Sequence, residues 1–174
     1  MKVLLFTGDK NQGKTTTLKL LYNNYFKEQA SEIIEYTEEG SDLKDFSTVF
    51  CFNKKKIAIN SIGDEAQYIE SAFEEFSSYK FDNKELKIDL LILGHRTKIR
   101  LPNKIPIASK IPIYPNFHLI DNILNLELIS KIIKKNNQIL NPDNLTSEEN
   151  INWNNYDKIY ATKLFQTVNE LLKL

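Results

Sequence analysis

The sequence predicts an α/β protein in which helices cover both faces of a mainly parallel sheet. The first observation is a pair of short apolar runs, residues 3–6 and 88–93, which are followed by Gly8 and Gly94. The first run is uninterrupted and the second holds one polar residue, Asp89. Runs of this kind are typical of strands that are buried on both faces. The second observation is that segments with apolar residues at helical spacing alternate with β-rich runs along the chain. This alternation of strands and helices favours a mainly parallel sheet.

Four segments have the apolar spacing of helices. Residues 15–27 and 65–79 are predicted to form helices that follow strands of the sheet. Two further helices are expected at the C-terminal end, over about residues 119–133 and 156–172. The stretch 141–150 is rich in Asn, Asp and Ser and separates these two C-terminal helices.

The remaining β-rich segments predict a hairpin beside the parallel strands. Residues 32–36 are a candidate strand, and the runs 48–52 and 57–62 are joined by a basic turn. We therefore expect an antiparallel hairpin over about residues 48–62. Residues 101–116 hold four of the five prolines in the chain, so we expect an irregular loop there with one extended segment.

Composition limits the class of protein. A chain of 174 residues suits a single domain, residues 1–174. The 23 basic and 23 acidic residues cancel, so no overall field attracts nucleic acid, and binding of nucleic acid is unsupported. A lone Cys51 cannot form an internal disulfide, which fits the reducing cytoplasm. No apolar run approaches the length of a membrane-spanning helix, so no membrane partner is expected.

One motif in the chain carries chemistry. It fits the pattern G-x-x-x-x-G-K-[ST] at every fixed position, and it lies between a predicted strand and a predicted helix. Glycines let backbone N–H groups curl around phosphate oxygens, and the start of the helix adds the positive end of its dipole. The residues of the motif are Gly8, Asp9, Lys10, Asn11, Gln12, Gly13, Lys14 and Thr15.

This motif resembles the Walker A loop of the P-loop NTPase superfamily, together with its flanking strand and helix. The resemblance implies a three-layer P-loop NTPase-like fold and a nucleoside triphosphate bound with Mg²⁺. The loop residues and Thr16 are then expected to contact the nucleotide, Lys14 to reach the β- and γ-phosphates, and Thr15 to ligate Mg²⁺. ATP is favoured over GTP, because the chain has no Asn-Lys-x-Asp motif for guanine.

A second acidic residue is expected to complete the Mg²⁺ site at the end of another strand. Asp64 and Glu65 follow the run 57–62 and resemble a Walker B sequence, although Asn60 and Ser61 interrupt its apolar residues. Asp64 is the preferred metal residue. The alternative, Asp89, precedes its strand and would lie at the opposite edge of a parallel sheet. A cap on the helix at residues 65–79 is the other role open to Asp64.

The only two arginines in the chain, Arg96 and Arg100, follow the most apolar predicted strand. Ligands of open α/β sheets bind at this carboxyl edge, and the planar guanidinium group binds phosphate or carboxylate through two parallel hydrogen bonds. Arg96 is therefore the candidate for contact with a transferring phosphoryl group or an anionic second substrate. Arg100 is more readily explained as a solvated residue. His95 is a candidate for positioning a nucleophile or has a structural role.

Three functions remain open from the sequence. The first is an ATP-binding NTPase that couples nucleotide binding or hydrolysis to a protein partner or conformational switch, with Lys14, Asp64 and Arg96 as its catalytic residues. The second is a kinase that transfers the γ-phosphoryl group to a small-molecule acceptor, with Asp64 or Glu65 as base. The third is a regulatory nucleotide-binding protein without turnover. The oligomeric state is not predicted.

Overall fold

The structure is a computed structural model that describes residues 1–8, 13–39, 45–63, 65–96, 100–112 and 147–173. Its strands are β1 (Lys2–Gly8), β2 (Glu32–Glu39), β3 (Asp45–Phe52), β4 (Lys55–Asn60), β5 (Lys80–Phe81), β6 (Lys84–Glu85), β7 (Leu90–Arg96) and β8 (Ile107–Pro112). Its helices are α1 (Lys14–Leu21), α2 (Ala66–Ser77) and α3 (Ser147–Leu172), and a π-helical turn at Tyr22–Phe26 continues α1. The predicted helix over about residues 119–133 lies outside the described residues.

Six strands form one sheet in the order β2-β3-β4-β7-β1-β8. Strands β4, β7, β1 and β8 are mutually parallel, whereas β3 is antiparallel to both of its neighbours. The prediction of a mainly parallel sheet is therefore confirmed. The sheet places the carboxyl ends of its four parallel strands along one edge, which is where ligands of such sheets bind.

The predicted hairpin is confirmed as β3 and β4, but its turn is tighter than expected. Asn53 and Lys54 alone connect the strands, because both adopt positive φ values of 48° and 63°. This conformation is that of a two-residue turn whose twist matches the twist of the strands. The first strand also begins earlier than predicted, at Asp45 instead of residue 48.

Alternate side chains of the strands pack into two separate hydrophobic clusters. On β1, Leu4 and Phe6 face the cluster that contains α1 and α3, whereas Val3 and Leu5 face the cluster that contains α2. All four side chains are buried, which explains the uninterrupted apolar run in the sequence. Helices therefore cover both faces of the sheet, as the sequence predicts.

Two boundaries differ from the predictions, those of β7 and α3, whereas the proline-rich stretch agrees with its prediction. Strand β7 continues through Gly94 to Arg96, because Gly94 lies against the backbone of Ser61 and Gly63 instead of ending the strand. The proline-rich stretch contains one extended segment, β8, which is an edge strand that tolerates Pro112 at its end. Helix α3 begins at Ser147, nine residues before the predicted start at residue 156. Among the described residues, no helix has the length and apolar character needed to cross a membrane.

Candidate functional site

The carboxyl ends of the parallel strands bring the predicted site residues together. In the parallel pairing of β1 with β7, Gly8 lies beside Arg96 and Thr7 beside His95. Strand β4 ends at Asn60 next to the same part of β7. Because β3 runs in the opposite direction, its first residue, Asp45, also lies at this edge. Residues from four separate segments of the sequence therefore meet at one edge of the sheet.

The motif is framed by the elements that the sequence predicts. Strand β1 ends at Gly8, and α1 begins at Lys14. Gly13, at the N-cap position, has φ 74° and ψ 16°, a left-handed conformation that glycine adopts without strain. Among the described residues no side chain caps this end of the helix, and its first turn, which includes Thr15 and Thr16, holds no acidic residue. The helix start therefore presents backbone donors and the positive end of the helix dipole toward the loop.

Lys14 is held close to the start of the loop. Its side chain is largely buried, with 7% of the residue exposed, and its Nζ donates a hydrogen bond of 3.2 Å to the Gly8 carbonyl oxygen. The ammonium group therefore lies between the end of β1 and the start of α1, which are the two elements that bound the loop. The intervening residues Asp9, Lys10, Asn11 and Gln12 lie outside the described residues.

Thr15 contacts an acidic residue that sequence reasoning missed. The Thr15 hydroxyl donates to Asp45 Oδ1 at 2.8 Å, and the Ser61 hydroxyl lies 3.1 Å from the same oxygen. The backbone N–H of Phe46 in turn donates to Ser61 Oγ at 2.9 Å. Ser61, one of the two polar residues that interrupt the apolar run at the end of β4, thus belongs to this network. The other, Asn60, instead accepts a hydrogen bond of 2.8 Å from the Ile62 N–H. The predicted hairpin starts at residue 48, whereas β3 starts at Asp45. A prediction with the observed start would have placed Asp45 at this edge from the sequence alone.

Asp64, the predicted metal residue, lies outside the described residues, but the residues around it are defined. The Gly63 carbonyl oxygen accepts a hydrogen bond of 3.0 Å from the Arg96 backbone N–H. The chain before Asp64 is therefore attached to the end of β7. The N-cap position of α2 is occupied by Glu65, the residue after Asp64. Glu65 itself is exposed and accepts a hydrogen bond from Gln67 Nε2 at 2.7 Å.

The remaining candidate residues from the sequence lie at different positions relative to this site. Arg96 is the last residue of β7 and is half-buried at the site, whereas Arg100 is exposed. His95 is buried, with 4% of the residue exposed. It lies two residues after Leu93 on β7, so both side chains are on the face of the sheet that α2 covers. Asp89 lies at the opposite edge, as predicted, where its Oδ2 accepts a hydrogen bond of 2.9 Å from the Lys56 N–H.

No protein-family model, curated protein or solved structure matches this chain. The chemistry of the site therefore rests on its own residues. The Lys14 ammonium group contacts the Gly8 carbonyl oxygen, and Arg96 lies beside Gly8 in the register of β1 and β7. One carboxylate, that of Asp45, contacts the Thr15 hydroxyl. Cations and backbone donors suit a polyanion, and a carboxylate beside a hydroxyl supplies the oxygen ligands that Mg²⁺ prefers.

Proposed function

We propose that this chain has a P-loop NTPase fold, that it binds ATP with Mg²⁺ at residues 8–15, and that it hydrolyses ATP to drive a partner or conformational switch. One observation carries the proposal. A strand buried on both faces ends at Gly8, a left-handed Gly13 precedes a helix with no acidic residue in its first turn, and the Lys14 ammonium group lies against the Gly8 carbonyl oxygen. This is the arrangement that a phosphate-binding loop requires.

The phosphate groups would meet three kinds of positive charge at this position. The start of α1 supplies the first N–H groups of a helix whose first turn holds no acidic residue, and the helix dipole adds to their attraction for an anion. Gly8 and Lys14 stand at the two ends of the same short loop. Lys14 is therefore near enough to exchange its contact with Gly8 for a contact with a phosphate oxygen. Burial of Lys14 strengthens such a contact, since less water screens it.

The residues around Thr15 fit a magnesium ion. Thr15 and Asp45 would hold the ion, directly or through water, and Asp64 remains a predicted third residue. When bound, Mg²⁺ neutralises charge on the β- and γ-phosphate oxygens. Ser61 supports this role by fixing Asp45, because its hydroxyl lies at hydrogen-bonding distance from the same carboxylate oxygen.

Arg96 supports turnover in this proposal. It lies beside Gly8 in the register of β1 and β7, so its guanidinium group starts from the strand position next to the loop. The backbone N–H of Arg96 is fixed by Gly63, which restrains the position from which the side chain extends. A guanidinium group that reaches the γ-phosphate would stabilise the negative charge that develops during transfer.

Substitution of Lys14 tests the proposal directly. We expect Lys14→Ala to weaken binding of ATP with Mg²⁺ by about tenfold to a hundredfold, because a charge-assisted hydrogen bond contributes about 1.5–3 kcal/mol. Lys27→Ala is the matched control, since Lys27 is exposed just beyond the π-helical turn and should leave the affinity unchanged. Equal affinity of the Lys14→Ala variant and the unchanged protein in a calorimetric titration would refute nucleotide binding at this loop. ADP release without an added acceptor distinguishes a hydrolase from a kinase.

A further inference from the structure

Strand β2 forms one margin of the sheet and leaves a backbone edge available for pairing. Within the part of the chain that the structure describes, β2 pairs with β3 alone. Two large apolar side chains on this strand are exposed: Ile33 by 45% and Tyr36 by 44%. Ile33 pairs with Phe50 and Tyr36 with Thr48, which places both on the face of the sheet that α1 covers. An edge strand with exposed apolar side chains can accept a further strand from another molecule.

The charge around β2 determines which strand it can accept. From residue 28 to residue 42 the sequence has no Lys, Arg or His. The acidic residues in this stretch are Glu28, Glu32, Glu35, Glu38, Glu39 and Asp42. Pairing of β2 with a second copy of itself would bring glutamates close to glutamates, which is unfavourable. Opposite charges across paired strands are favourable, so the complementary strand carries Lys or Arg.

The strand is also held in a fixed position against the rest of the molecule. The ring of Tyr36 stacks on Tyr22 with centroids 5.6 Å apart, and Glu38 forms a salt bridge of 3.2 Å with Lys19 of α1. The Thr48 hydroxyl donates to the Glu35 carbonyl oxygen at 2.8 Å. A strand that is already ordered loses little conformational entropy when a partner pairs with it.

We infer that β2 is a docking edge for an extended segment of a partner protein that carries Lys or Arg at alternate positions. The partner segment adds a strand to the sheet, and its basic side chains face the glutamates of β2. Apolar side chains between them contact Ile33 and Tyr36. Glu39 of β2 pairs with Asp45 of the candidate metal site. The test of this surface uses no nucleotide, so its failure is distinguishable from a failure of nucleotide binding.

The probe is a fluorescent synthetic peptide of roughly eight residues, the length of β2, with lysine at alternate positions and valine or threonine between them. We expect saturable binding to the full chain, with amide NMR shifts concentrated in residues 32–39. The double variant Glu32→Lys, Glu39→Lys should weaken binding by about tenfold or more, since two attractive charge pairs become repulsive. The double variant Glu85→Lys, Glu170→Lys makes the same charge change on exposed residues elsewhere and should leave binding nearly unchanged.

A second peptide separates strand addition from simple charge attraction. It keeps every lysine but replaces two valines with proline, which cannot donate backbone hydrogen bonds to a neighbouring strand. We expect it to bind at least about tenfold more weakly, because main-chain hydrogen bonds provide the affinity of an added strand. Three outcomes would overturn the inference: equal binding of both peptides, equal losses in the two double variants, or self-association of the chain through β2 in sedimentation. Protection of the outer β2 amides from hydrogen exchange without peptide would also overturn it.

Discussion

The Thr15 hydroxyl donates a hydrogen bond of 2.8 Å to Asp45 Oδ1 and so ties the first turn of α1 to the first residue of β3. This contact links a residue of the phosphate-loop motif to a strand that runs against the parallel strands. It also places a carboxylate beside the hydroxyl that is expected to ligate Mg²⁺. Asp45 therefore joins Asp64 as a candidate for the metal site.

Asp45→Asn should weaken the dependence on magnesium while keeping the fold. The amide oxygen of Asn can still accept hydrogen bonds from Thr15 and Ser61, but the negative charge is lost. We expect the Mg²⁺ concentration for half-maximal ATP binding to rise about tenfold, which corresponds to about 1.4 kcal/mol. Asp89→Asn, at the opposite edge of the sheet, is the control and should not change it. An unaltered metal titration for Asp45→Asn would remove Asp45 from the site, and the same titration of Asp64→Asn tests the predicted residue.

Arg96→Ala should reduce turnover far more than ATP binding. A group that stabilises charge in the transition state contributes roughly a hundredfold to a thousandfold to the rate. We expect a loss of this size in steady-state ATP hydrolysis, with only partial recovery in Arg96→Lys, because lysine lacks the planar fork of donors. Arg100→Ala is the control, since Arg100 is exposed. Similar losses of turnover and ATP affinity would assign Arg96 a structural role.

Gly63→Ala should destabilise the fold, because two backbone segments touch at this position. A Cβ atom on Gly63 would lie 1.8 Å from the Gly94 carbonyl oxygen, whereas a Cβ atom on Gly94 would lie 2.9 Å from the Ser61 carbonyl oxygen. We expect Gly63→Ala to lower the free energy of unfolding by roughly 3 kcal/mol, and Gly94→Ala by less. Urea unfolding followed by circular dichroism measures both. Equal stability of Gly63→Ala and the unchanged protein would show that the segments do not approach this closely.

Glu75→Gln should remove a dependence of stability on pH. Burial, and next the charge of Glu35, raise the pKa of Glu75 above its ordinary value of 4.5. The folded state therefore favours the protonated carboxyl, so this contribution to stability is present below pH 4.5 and is lost as pH rises through the raised pKa. For each pH we compare the free energy of unfolding of Glu75→Gln with that of the unchanged protein. We expect this difference to favour Glu75→Gln more near pH 7 than near pH 4.

Glu85→Gln is the control for this titration, because Glu85 is exposed on the hairpin of β5 and β6. Its difference from the unchanged protein should be the same at both pH values. Urea midpoints at the two pH values give the comparison. If the urea midpoints of Glu75→Gln and the unchanged protein also differ by the same amount at both pH values, Glu75 titrates alike in the folded and unfolded states.

The sequence predicts the elements whose signal is local. The buried strand at residues 3–6 and the helix at residues 65–79 appear close to their expected positions, because apolar runs and helical spacing report burial directly. The role of Asp45 could not be read in this way. Its contact with Thr15 depends on the direction of β3 and on a strand start that precedes the apolar run.

Local sequence patterns also do not predict that β7 continues through Gly94. A glycine after an apolar run usually marks the end of a strand. Here it is required by the backbone of Ser61, whose carbonyl oxygen would lie 2.9 Å from a Cβ atom on Gly94. Close approach of two backbones is a tertiary relationship, and only the three-dimensional arrangement distinguishes it from a turn.

Strand β1 has a paired strand on each side and is covered on both faces, so its amides should be among the last to exchange with solvent. Strand β2, at the margin of the sheet, should exchange much earlier. The proposed phosphate loop begins directly at the end of β1. Local unfolding at the margin of the sheet would therefore leave one anchor of the loop in place, and ligand binding would survive fluctuations that open the outer strands.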